Sequence, residues 1–522
     1  MTHSPYVMGI DFGTGGVRVG IFDRDGGPIG FSAAEFQIHH PQPGWAEQDP
    51  DEWWSALTKA VPQAMAEGDI SPADIAGISV DATSSTVLAV DADGRPLRPA
   101  ILWMDVRAFE QADRVAGTSH PALKYNGHGA VSAEWGLPKA LWIRDREPEV
   151  YERTKYILDC VDWVTQRLTR RSTASINTAT SKYYFDRDAG GWPAELYDQT
   201  GAPDLLEKLP QDVLDVGAPV GGLCREVAQE LGLEPDTPVA EGSVDAYAGA
   251  LGLGVVEPGT LALITGTSHV IIAQSSEPVH DPGFWGAYTD AMIPGLYTIE
   301  AGQAATGSIV AWFARQLAGG MQQETENRGV EVYELLGEMA DEVPLGCDGL
   351  LVLDYFQGNR SPHTDPRARG AISGLSLSHG PGHIFRAIIE GICYGTEDIL
   401  QTMRAQDFVP ERGVVSGGPA KSELWMQTHA DVSNLPLTFP KVSEGPVLGA
   451  AIQASVGAGI YPDLQTAAKS MVQFGRTIEP DEARHQEYGF WVERYRELYS
   501  AVRDVQHEVA GHLGGEPGDG AA

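Results

Sequence analysis

The chain has 522 residues, enough for two to four domains at the usual size of roughly 100–200 residues each. Hydrophobic residues make up 42% and charged residues 21%, which is typical of a globular protein and excludes a disordered one. The formal net charge of −36 argues against nucleic acid or an anionic membrane surface as the main partner.

Targeting signals and cysteines add little structure of their own. No apolar run approaches the ~18 residues of a membrane-spanning helix, and the start, MTHSPYVMGID, has no basic segment followed by an apolar stretch, so no secretory signal is expected. The four cysteines are far apart and form no C-x-x-C pair. This pattern argues against a disulfide framework or a zinc site and favours a reducing cytoplasm.

The first predicted elements form a β-meander. Residues 7–11 are an apolar run, 13–16 (GTGG) a turn, 17–23 a second strand, and 29–36 a third strand after the hairpin signal DGG. Asp49 and Pro50 supply an N-cap and a first-turn proline for a helix to about Ala66. Strands at 75–81 and 86–90 and helices at 106–115 and 138–146 follow, which indicates an α/β class.

A second beginning lies in mid-chain. Residues 259–273, GTLALITGTSHVIIA, repeat the strand, Gly-Thr turn and strand of residues 8–21, MGIDFGTGGVRVGI. A helix from about Thr306, a strand at 349–354, a long helix at 382–404 and a strand–glycine–helix unit at 414–432 come after it. The repeat predicts two similar α/β lobes with a cleft between them, and a hinge in the glycine- and proline-containing segment 252–258.

Two small-residue turns facing a cleft suit a nucleoside triphosphate. Backbone N–H groups of a Gly/Thr turn can point at phosphate oxygens, because glycine has no Cβ to block the approach. The hydroxyls of Thr14, Thr267 and Ser268 add donors, and Asp11 is suited to hold Mg²⁺ through water. The alternative is that each turn only closes a hairpin. Neither a G-x-x-x-x-G-K-[ST] loop nor a strand-following G-x-G-x-x-G occurs.

Two further elements could complete such a site. The segment 414–422, VVSGGPAKS, ends a strand in glycines against which a flat ring can lie, or it is an ordinary strand-to-helix loop. Asp245 stands where a strand turns into a helix, and the helix dipole favours the anion there. An ionised Asp245 is the kind of base that accepts a proton from a sugar hydroxyl in phosphoryl transfer. The alternative role is a helix cap.

Seven motifs in order resemble the FGGY carbohydrate kinases. They are DFGT at 11–14, GWAEQDP at 44–50, G-x-x-D ending at 245, GTS at 266–268, R-S-P-H-x-D-P-x-A-R-G at 360–370, SGGP at 416–419 and G-P-x-L-G-A-A at 445–451. The resemblance spans about residues 7–474. It implies two lobes of the actin-like, ribonuclease-H-like ATPase fold, and transfer of a phosphoryl group from ATP with Mg²⁺ to a primary hydroxyl of a sugar or polyol.

The resemblance also implies domain limits and residue roles. The first lobe is expected at 1–255, the second at 256–490, and a disordered tail at 505–522. Asp245 is the implied general base, and Asp11 the residue that organises the metal and its waters. The implied nucleotide contacts are Thr14, Gly15, Gly16 and Arg18 on one lobe, with Gly266 and Thr267 for phosphates and Gly307, Gly418 and Ser422 for adenosine on the other.

The stretch 79–86, SVDATSST, bears on the substrate. It lacks the Arg-Glu pair that glycerol kinases carry at the positions of Thr83 and Ser84, and the Met-His-Gly of xylulokinases, and is similar to ribulokinases. Hydroxyl side chains can bond successive sugar hydroxyls, and Trp103 offers an apolar wall. The implied sugar contacts are Thr83, Ser84, Trp103, Asp105, Glu134 and Asp245, together with Arg107. Glu134 lies where the glycerol enzymes use a Tyr, and Asp105 with Arg107 is alternatively a surface ion pair.

The expected function is therefore phosphorylation of a pentulose, ribulose to ribulose 5-phosphate. Xylulose, apulose, erythritol and glycerol are alternative substrates of the same class. A non-catalytic sugar sensor on the same scaffold is the alternative of another class, against which the presence of Asp11 and Asp245 argues. The expected partner is a small sugar, with no nucleic acid or membrane, in a cytoplasmic protein for which a homodimer is one expected assembly.

Overall fold

A computed structural model describes residues 5–127 and 131–514, in which strands and helices are mixed along the whole chain. The strands are β1 Tyr6–Gly13, β2 Gly16–Phe22, β3 Pro28–Glu35, β4 Glu47–Gln48, β5 Ile75–Ala82, β6 Val87–Val90, β7 Ala100–Ile101, β8 Tyr156–Asp159, β9 Ala174–Ser175, β10 Val213–Leu214, β11 Pro219–Gly222, β12 Pro238–Ala240, β13 Ser243–Val244, β14 Thr260–Thr265, β15 His269–Ser275, β16 Trp285–Thr289, β17 Tyr297–Gln303, β18 Leu351–Leu353, β19 Ala371–Ser373, β20 Arg412–Gly417, β21 Leu437–Pro440 and β22 Phe474–Ile478.

The helices alternate with these strands. They are α1 Pro50–Glu67, α2 Phe109–Gly117, α3 Gly136–Arg146, α4 Pro148–Arg153, α5 Cys160–Thr169, α6 Ile176–Tyr183, α7 Ala194–Gln199, α8 Arg225–Leu231, α9 Asp245–Gly252, α10 Gly307–Gln316, α11 Gln322–Arg328, α12 Val332–Asp341, α13 Pro381–Arg404, α14 Glu423–Ser433, α15 Gly445–Gly457, α16 Leu464–Met471 and α17 Glu482–Gly514. The α/β class is confirmed. In this part of the chain, no helix has the length and apolar character needed to cross a bilayer.

The first large sheet contains the first meander. Its strand order is β11-β12-β5-β1-β2-β3, with β13 also paired to β5. Strands β1 and β2 are antiparallel, while β1 and β5 are parallel and bring Asp11 level with Asp81. Helix α1 packs on β2 and β3, and Asp49 caps it by accepting the backbone N–H of Asp51 at 2.9 Å, as the sequence predicts.

The second large sheet repeats this arrangement. Its order is β16-β17-β15-β14-β20-β21-β22. Strand β14 is antiparallel to β15 and parallel to β20, just as β1 is antiparallel to β2 and parallel to β5. The long helix α13 packs against it and forms part of its apolar core with α10 and α14. The predicted repeat of the meander is therefore present in the fold.

Two helices cross between the sheets. Helix α9 contacts β14 and β15 of the second sheet, whereas α15, from the second half of the chain, packs on β1 and β5 of the first. The two helices also pack on each other through their backbones, because a Cβ at Gly252 would overlap the carbonyl oxygen of Gly445, and one at Gly449 that of Ala248. Glycine permits this approach. The second half of the chain thus supplies a helix to the first sheet, while α9 lies between the sheets and contacts strands of both.

Two predicted elements need correction. Helix α2 begins at Phe109 and not at Val106, because the backbone N–H of Arg107 is held by the Asp105 side chain at 2.9 Å in a turn. The disordered tail predicted from residue 505 is wrong for 505–514, which are the end of α17. His507 there lies 2.6 Å from Asp365, and Gln506 donates to the carbonyl oxygen of Arg369 at 2.9 Å. Residues 515–522 lie outside the described residues.

Candidate active site

The turn of the first hairpin presents backbone to the cleft. Gln48 donates from Nε2 to the carbonyl oxygen of Thr14 at 2.8 Å, and Trp103 donates from Nε1 to the Thr14 hydroxyl at 3.1 Å. A side chain at Gly15 would meet no neighbour, whereas one at Gly16 would crowd the backbone of β3. The turn is therefore held in place by side-chain hydrogen bonds and by its packing on β3, while the space at Gly15 stays open, as a phosphate-binding turn requires.

The second hairpin turn, residues 266–268, carries the N-terminus of α10. The N–H of Gly307 donates to the carbonyl oxygen of Gly266 at 3.1 Å, and that of Ser308 donates to Thr267 at 3.2 Å. A Cβ at Gly307 would overlap the Gly266 carbonyl oxygen, so the helix can approach this closely only with glycine. The turn and the N-terminus of α10 lie side by side, and the first N–H groups of the helix are held by carbonyl oxygens of the turn, so only the helix dipole, and not free N–H groups, favours an anion here.

A cavity of about 930 Å³ opens beside this second turn. Its apolar walls include Val310, Phe385 and Leu424, and Tyr333 stands half exposed at its rim. The size and the walls suit a purine base with its ribose. The five residues predicted for this half of the site all line the cavity: Gly266, Thr267, Gly307, Gly418 and Ser422. The walls were not predicted, because their residues belong to amphipathic helices with no motif of their own.

Three carboxyls converge where β1, β5 and β13 end. Asp11 is the register partner of Asp81, which also pairs with Ser243, two residues before Asp245. Asp11 and Asp81 are fully buried. Burial raises the pKa of Asp11, and burial with the charges of Asp11 and Asp245 raises the pKa of Asp81 well above its usual range. Sequence reasoning missed Asp81, although an acid inside the apolar strand AGISVDA was a usable signal.

Arg18 lies between two acids. Its guanidinium forms one ion pair with Asp11 and another, at 3.1 Å, with Glu444 at the start of α15. It therefore offsets the charge of Asp11 and links β2 to the second half of the chain. The Arg18 side chain is 46% exposed, and two ion pairs do not use all five of its N–H donors, so part of it is open to a phosphate.

Asp245 is the first residue of α9. Its Oδ1 accepts the backbone N–H of Ala246 at 2.7 Å. Burial, helped by the charge of Asp11, raises the pKa of Asp245 to about 7. The prediction that the helix dipole keeps it ionised is therefore wrong near neutral pH, because desolvation and a like charge outweigh the N-terminal donor. A carboxyl with this pKa is well matched to a general base.

The loop after β5 presents hydroxyls. Ala82 is the register partner of Val244, so this loop and Asp245 leave the sheet at the same point. The Thr83 hydroxyl is occupied by that of Thr86 at 2.8 Å. The buried hydroxyls of Ser84 and Ser85 have no hydrogen-bond partner in the described part of the chain. Each of them therefore has unused hydrogen-bonding capacity at the end of β5.

Asp105 and Arg107 form a buried pair. The Asp105 carboxylate accepts the Ala46 N–H at 2.6 Å and three donors of Arg107 at 2.7–2.9 Å. Arg107 also donates to Glu47 at 2.7 Å and lies over the Trp45 ring, 3.7 Å from its centroid. Both residues are buried, so a surface pair is wrong. Four donors fill the carboxylate, and we assign Asp105 to the support of the loop and not to sugar contact.

Residues from both halves of the chain meet near Asp245. Glu300 of β17 accepts the Tyr247 hydroxyl at 3.1 Å and lies 3.4 Å from the Lys182 ammonium. Lys182 also lies 5.1 Å from the ring centroid of Trp135, which follows the half-exposed Glu134. The charge of Glu300 further raises the pKa of Asp245. Sequence reasoning missed Lys182 and Glu300, because neither belongs to a local motif.

Comparisons with known proteins identify the family of the chain. The models of the N- and C-terminal domains of the FGGY family of carbohydrate kinases match residues 6–252 and 261–458. The FGGY carbohydrate kinase domain-containing protein of Xenopus laevis is 33% identical over 98% of both chains, and ribulokinase 2 of Staphylococcus saprophyticus 31% over 97% of both. A xylulose kinase from Rhodospirillum rubrum, 28% identical, superimposes with a TM-score of 0.86 over 96% of this chain and 100% of that one.

Proposed function

This chain belongs to the FGGY family of carbohydrate kinases and is an ATP-dependent sugar kinase, and on that premise we propose that it phosphorylates ribulose to ribulose 5-phosphate. The observation that carries the proposal is the pair of unpartnered buried hydroxyls, Ser84 and Ser85, in a loop that leaves the sheet beside Asp245. A buried hydroxyl without a partner costs about 1–3 kcal/mol, which a polyhydroxy ligand can recover.

The names of relatives support a pentulose. Ribulokinase 2 of Staphylococcus saprophyticus and the ribulokinase of Mycolicibacterium smegmatis are 31% and 33% identical to this chain over 97% and 96% of its length. The similar structure from Rhodospirillum rubrum is a xylulose kinase, which makes xylulose the second candidate. Both sugars are five-carbon ketoses, so the pocket must distinguish them by hydroxyl geometry.

The proposed reaction divides among the residues described. Asp245 accepts the proton of the sugar's primary hydroxyl, whose oxygen forms a bond to the γ-phosphorus of ATP as the bond to the β-phosphate oxygen breaks and ADP leaves. The turns at Thr14 and Thr267 donate to phosphate oxygens, and the cavity holds adenosine. Lys182 and Glu300 lie beside Asp245 and are placed to bind the remaining hydroxyls.

Asp11 and Asp81 suit Mg²⁺, which binds proteins through one or two carboxylates, water and substrate phosphates. Both Asp81 oxygens are buried without a donor in the described residues, and no group of three metal-binding side chains occurs there. Mg²⁺, when bound, would neutralise phosphate charge. Asp11 would hold its water shell, with Asp81 behind it.

The same proposal includes a lobe boundary near residue 255 and closure of the cleft when both substrates are bound. Closure excludes water, which would otherwise attack the γ-phosphate. Gly254, two residues after the end of α9, has a φ of 73°, which glycine adopts without strain, and lies in the predicted hinge. A homodimer and a cytoplasmic location stay predictions of the sequence.

An ADP-release assay tests the proposed function. The purified protein is given MgATP with D-ribulose, L-ribulose, xylulose, apulose, erythritol or glycerol, and a no-sugar control. We expect one enantiomer of ribulose to give the highest kcat/KM. Glycerol or xylulose as the best substrate would overturn the ribulose proposal, and ATP hydrolysis unaffected by every sugar would favour a sugar sensor.

A further inference from the structure

Lys139 is a fully buried cation that the reaction does not use. It lies in the middle of α3 with no exposed surface. Its ammonium donates to three backbone carbonyl oxygens: those of Ser85 at 2.9 Å, Leu102 at 2.6 Å and Trp103 at 3.2 Å. These three bonds match the three protons of a charged ammonium.

The three carbonyls belong to two separate loops of the sugar pocket. Ser85 lies in the loop between β5 and β6, residues 83–86, which we call the hydroxyl loop. Its backbone is in the left-handed region, with a φ of 53°. Leu102 and Trp103 follow β7, and the Trp103 indole in turn donates to the hydroxyl of Thr14 in the first phosphate turn. Lys139 is therefore the point at which the hydroxyl loop and the Trp103 loop are joined.

Burying the Lys139 cation costs free energy of folding, because the charge loses its hydration. Burial lowers the pKa of Lys139 to about 7, and the carboxylates of Asp105, Glu134 and Asp159 only partly offset burial, while Arg107 opposes them. An apolar residue of similar length would avoid this desolvation. A charge that destabilises the fold, where an apolar residue would not, indicates that the charge has a function.

We propose that Lys139 is a positioning residue for the sugar: its ammonium ties the hydroxyl loop to the Trp103 loop and so sets the width of the sugar pocket. The inference rests on the proposed location of that pocket. A neutral amine has two donors and a lone pair, and the lone pair would face a carbonyl oxygen. Loss of the proton therefore loosens the joint, and sugar affinity falls as the pH rises through about 7.

The substitution Lys139→Met removes the charge and keeps the length. We expect KM for the sugar to rise about tenfold, with KM for ATP within about twofold, because the two loops beside Asp245 lose their common anchor while the adenosine cavity is untouched. Lys208→Met is the matched control, since Lys208 donates to a single carbonyl, that of Thr154 at 2.6 Å, on the outer side of the lobe. A parallel rise in both KM values would mean a general loss of structure and would overturn the proposal.

The pH dependence of sugar binding provides a second test, in which the protein that carries the decisive result keeps Lys139. Equilibrium Kd values are measured by tryptophan fluorescence between pH 6 and 9 in the Asp245→Asn background, which removes the titration of the base. We expect Kd to rise with pH in this protein and to stay flat when Lys139→Met is added. A flat profile with Lys139 present overturns the inference. The sugar used is whichever one the ADP-release assay selects, so failure of ribulose as substrate is separate from failure of Lys139 as positioner.

Discussion

The two hairpins at the cleft share a backbone arrangement but differ in chemistry. In the first, the parallel neighbours β1 and β5 place Asp11 opposite Asp81, and both are buried acids. In the second, β14 and β20 place Thr265 opposite Gly417, and the Thr265 hydroxyl donates to a backbone carbonyl at 2.6 Å. The first hairpin thus concentrates charge near Asp245, while the second offers neutral backbone beside an apolar cavity. The shared topology sets where the two turns lie, and the side chains at the strand ends give each turn its own chemistry.

The largest effect should come from the charged hairpin's side of the cleft. Asp245→Asn is expected to lower kcat by roughly 10²–10⁴ with little change in the binding of sugar or ATP, because only proton acceptance is lost. Steady-state kinetics and ligand titrations measure both. Asp348→Asn, at an exposed acid paired with His383, is the control. A variant of Asp245 that retains more than a tenth of wild-type turnover would refute its assignment as base.

The dependence of kcat/KM on pH tests the same role of Asp245. Because burial raises the pKa of Asp245 to about 7, the base form is lost below that pH. We expect kcat/KM to fall about tenfold per pH unit below about 7. The profile should be recorded with saturating Mg²⁺. An acid limb near pH 4 would show that the free enzyme holds Asp245 ionised, contrary to the structure.

A change in the neutral hairpin's cavity should affect ATP alone. Gly418 lines the cavity, and a side chain there would meet no protein atom, so Gly418→Val fills ligand space without disturbing the fold. We expect KM for ATP to rise roughly 10- to 100-fold, since overpacking costs about 1–3 kcal/mol. KM for the sugar should stay constant. Equal increases in KM for ATP and in KM for the sugar would contradict the assignment of ATP alone to the cavity beside the second hairpin.

A smaller effect is expected in the hydroxyl loop. Ser84→Ala should raise KM for ribulose about tenfold or less, and barely affect glycerol, because it removes one hydrogen bond to the sugar. Thr83→Val should instead lower the melting temperature, since it leaves the buried Thr86 hydroxyl without its partner. Kinetics with both substrates and thermal denaturation separate the two. If Ser84→Ala leaves the KM for ribulose unchanged, the loop does not bind the hydroxyls of the sugar.

The smallest change is geometric. With ribulose and a non-hydrolysable ATP analogue, small-angle scattering should show a radius of gyration about 1 Å below that of the free protein, for which a compact chain of this length gives roughly 24 Å. Either ligand alone should give a smaller decrease. An unchanged radius with both ligands would contradict closure between the hairpins.

Local patterns were enough for much of the fold and for half of the site. The turns at residues 13–16 and 266–268, the cap of α1 by Asp49 and the Gly418 loop each depend on a few neighbouring residues, and the sequence predicted them. Lys139 and the Lys182–Glu300 pair depend on contacts between distant segments, which no local pattern contains. Asp81 was visible as an acid in an apolar strand, but its pairing with Asp11 depends on the strand register. The raised pKa of Asp245 was missed for the same reason, because desolvation is a property of the assembled cleft.

The packing of α15 on the first sheet also bears on synthesis of the chain. Glycines such as Gly9 and Gly77 let α15 approach one face of this sheet closely, beside apolar side chains such as Val7 and Phe22 that pack in the same core. That face stays uncovered on the ribosome until residues 445–457 have been made. The nascent first half is therefore exposed to aggregation for most of translation, and expressing it alone would yield an incomplete domain that needs the missing helix supplied in trans.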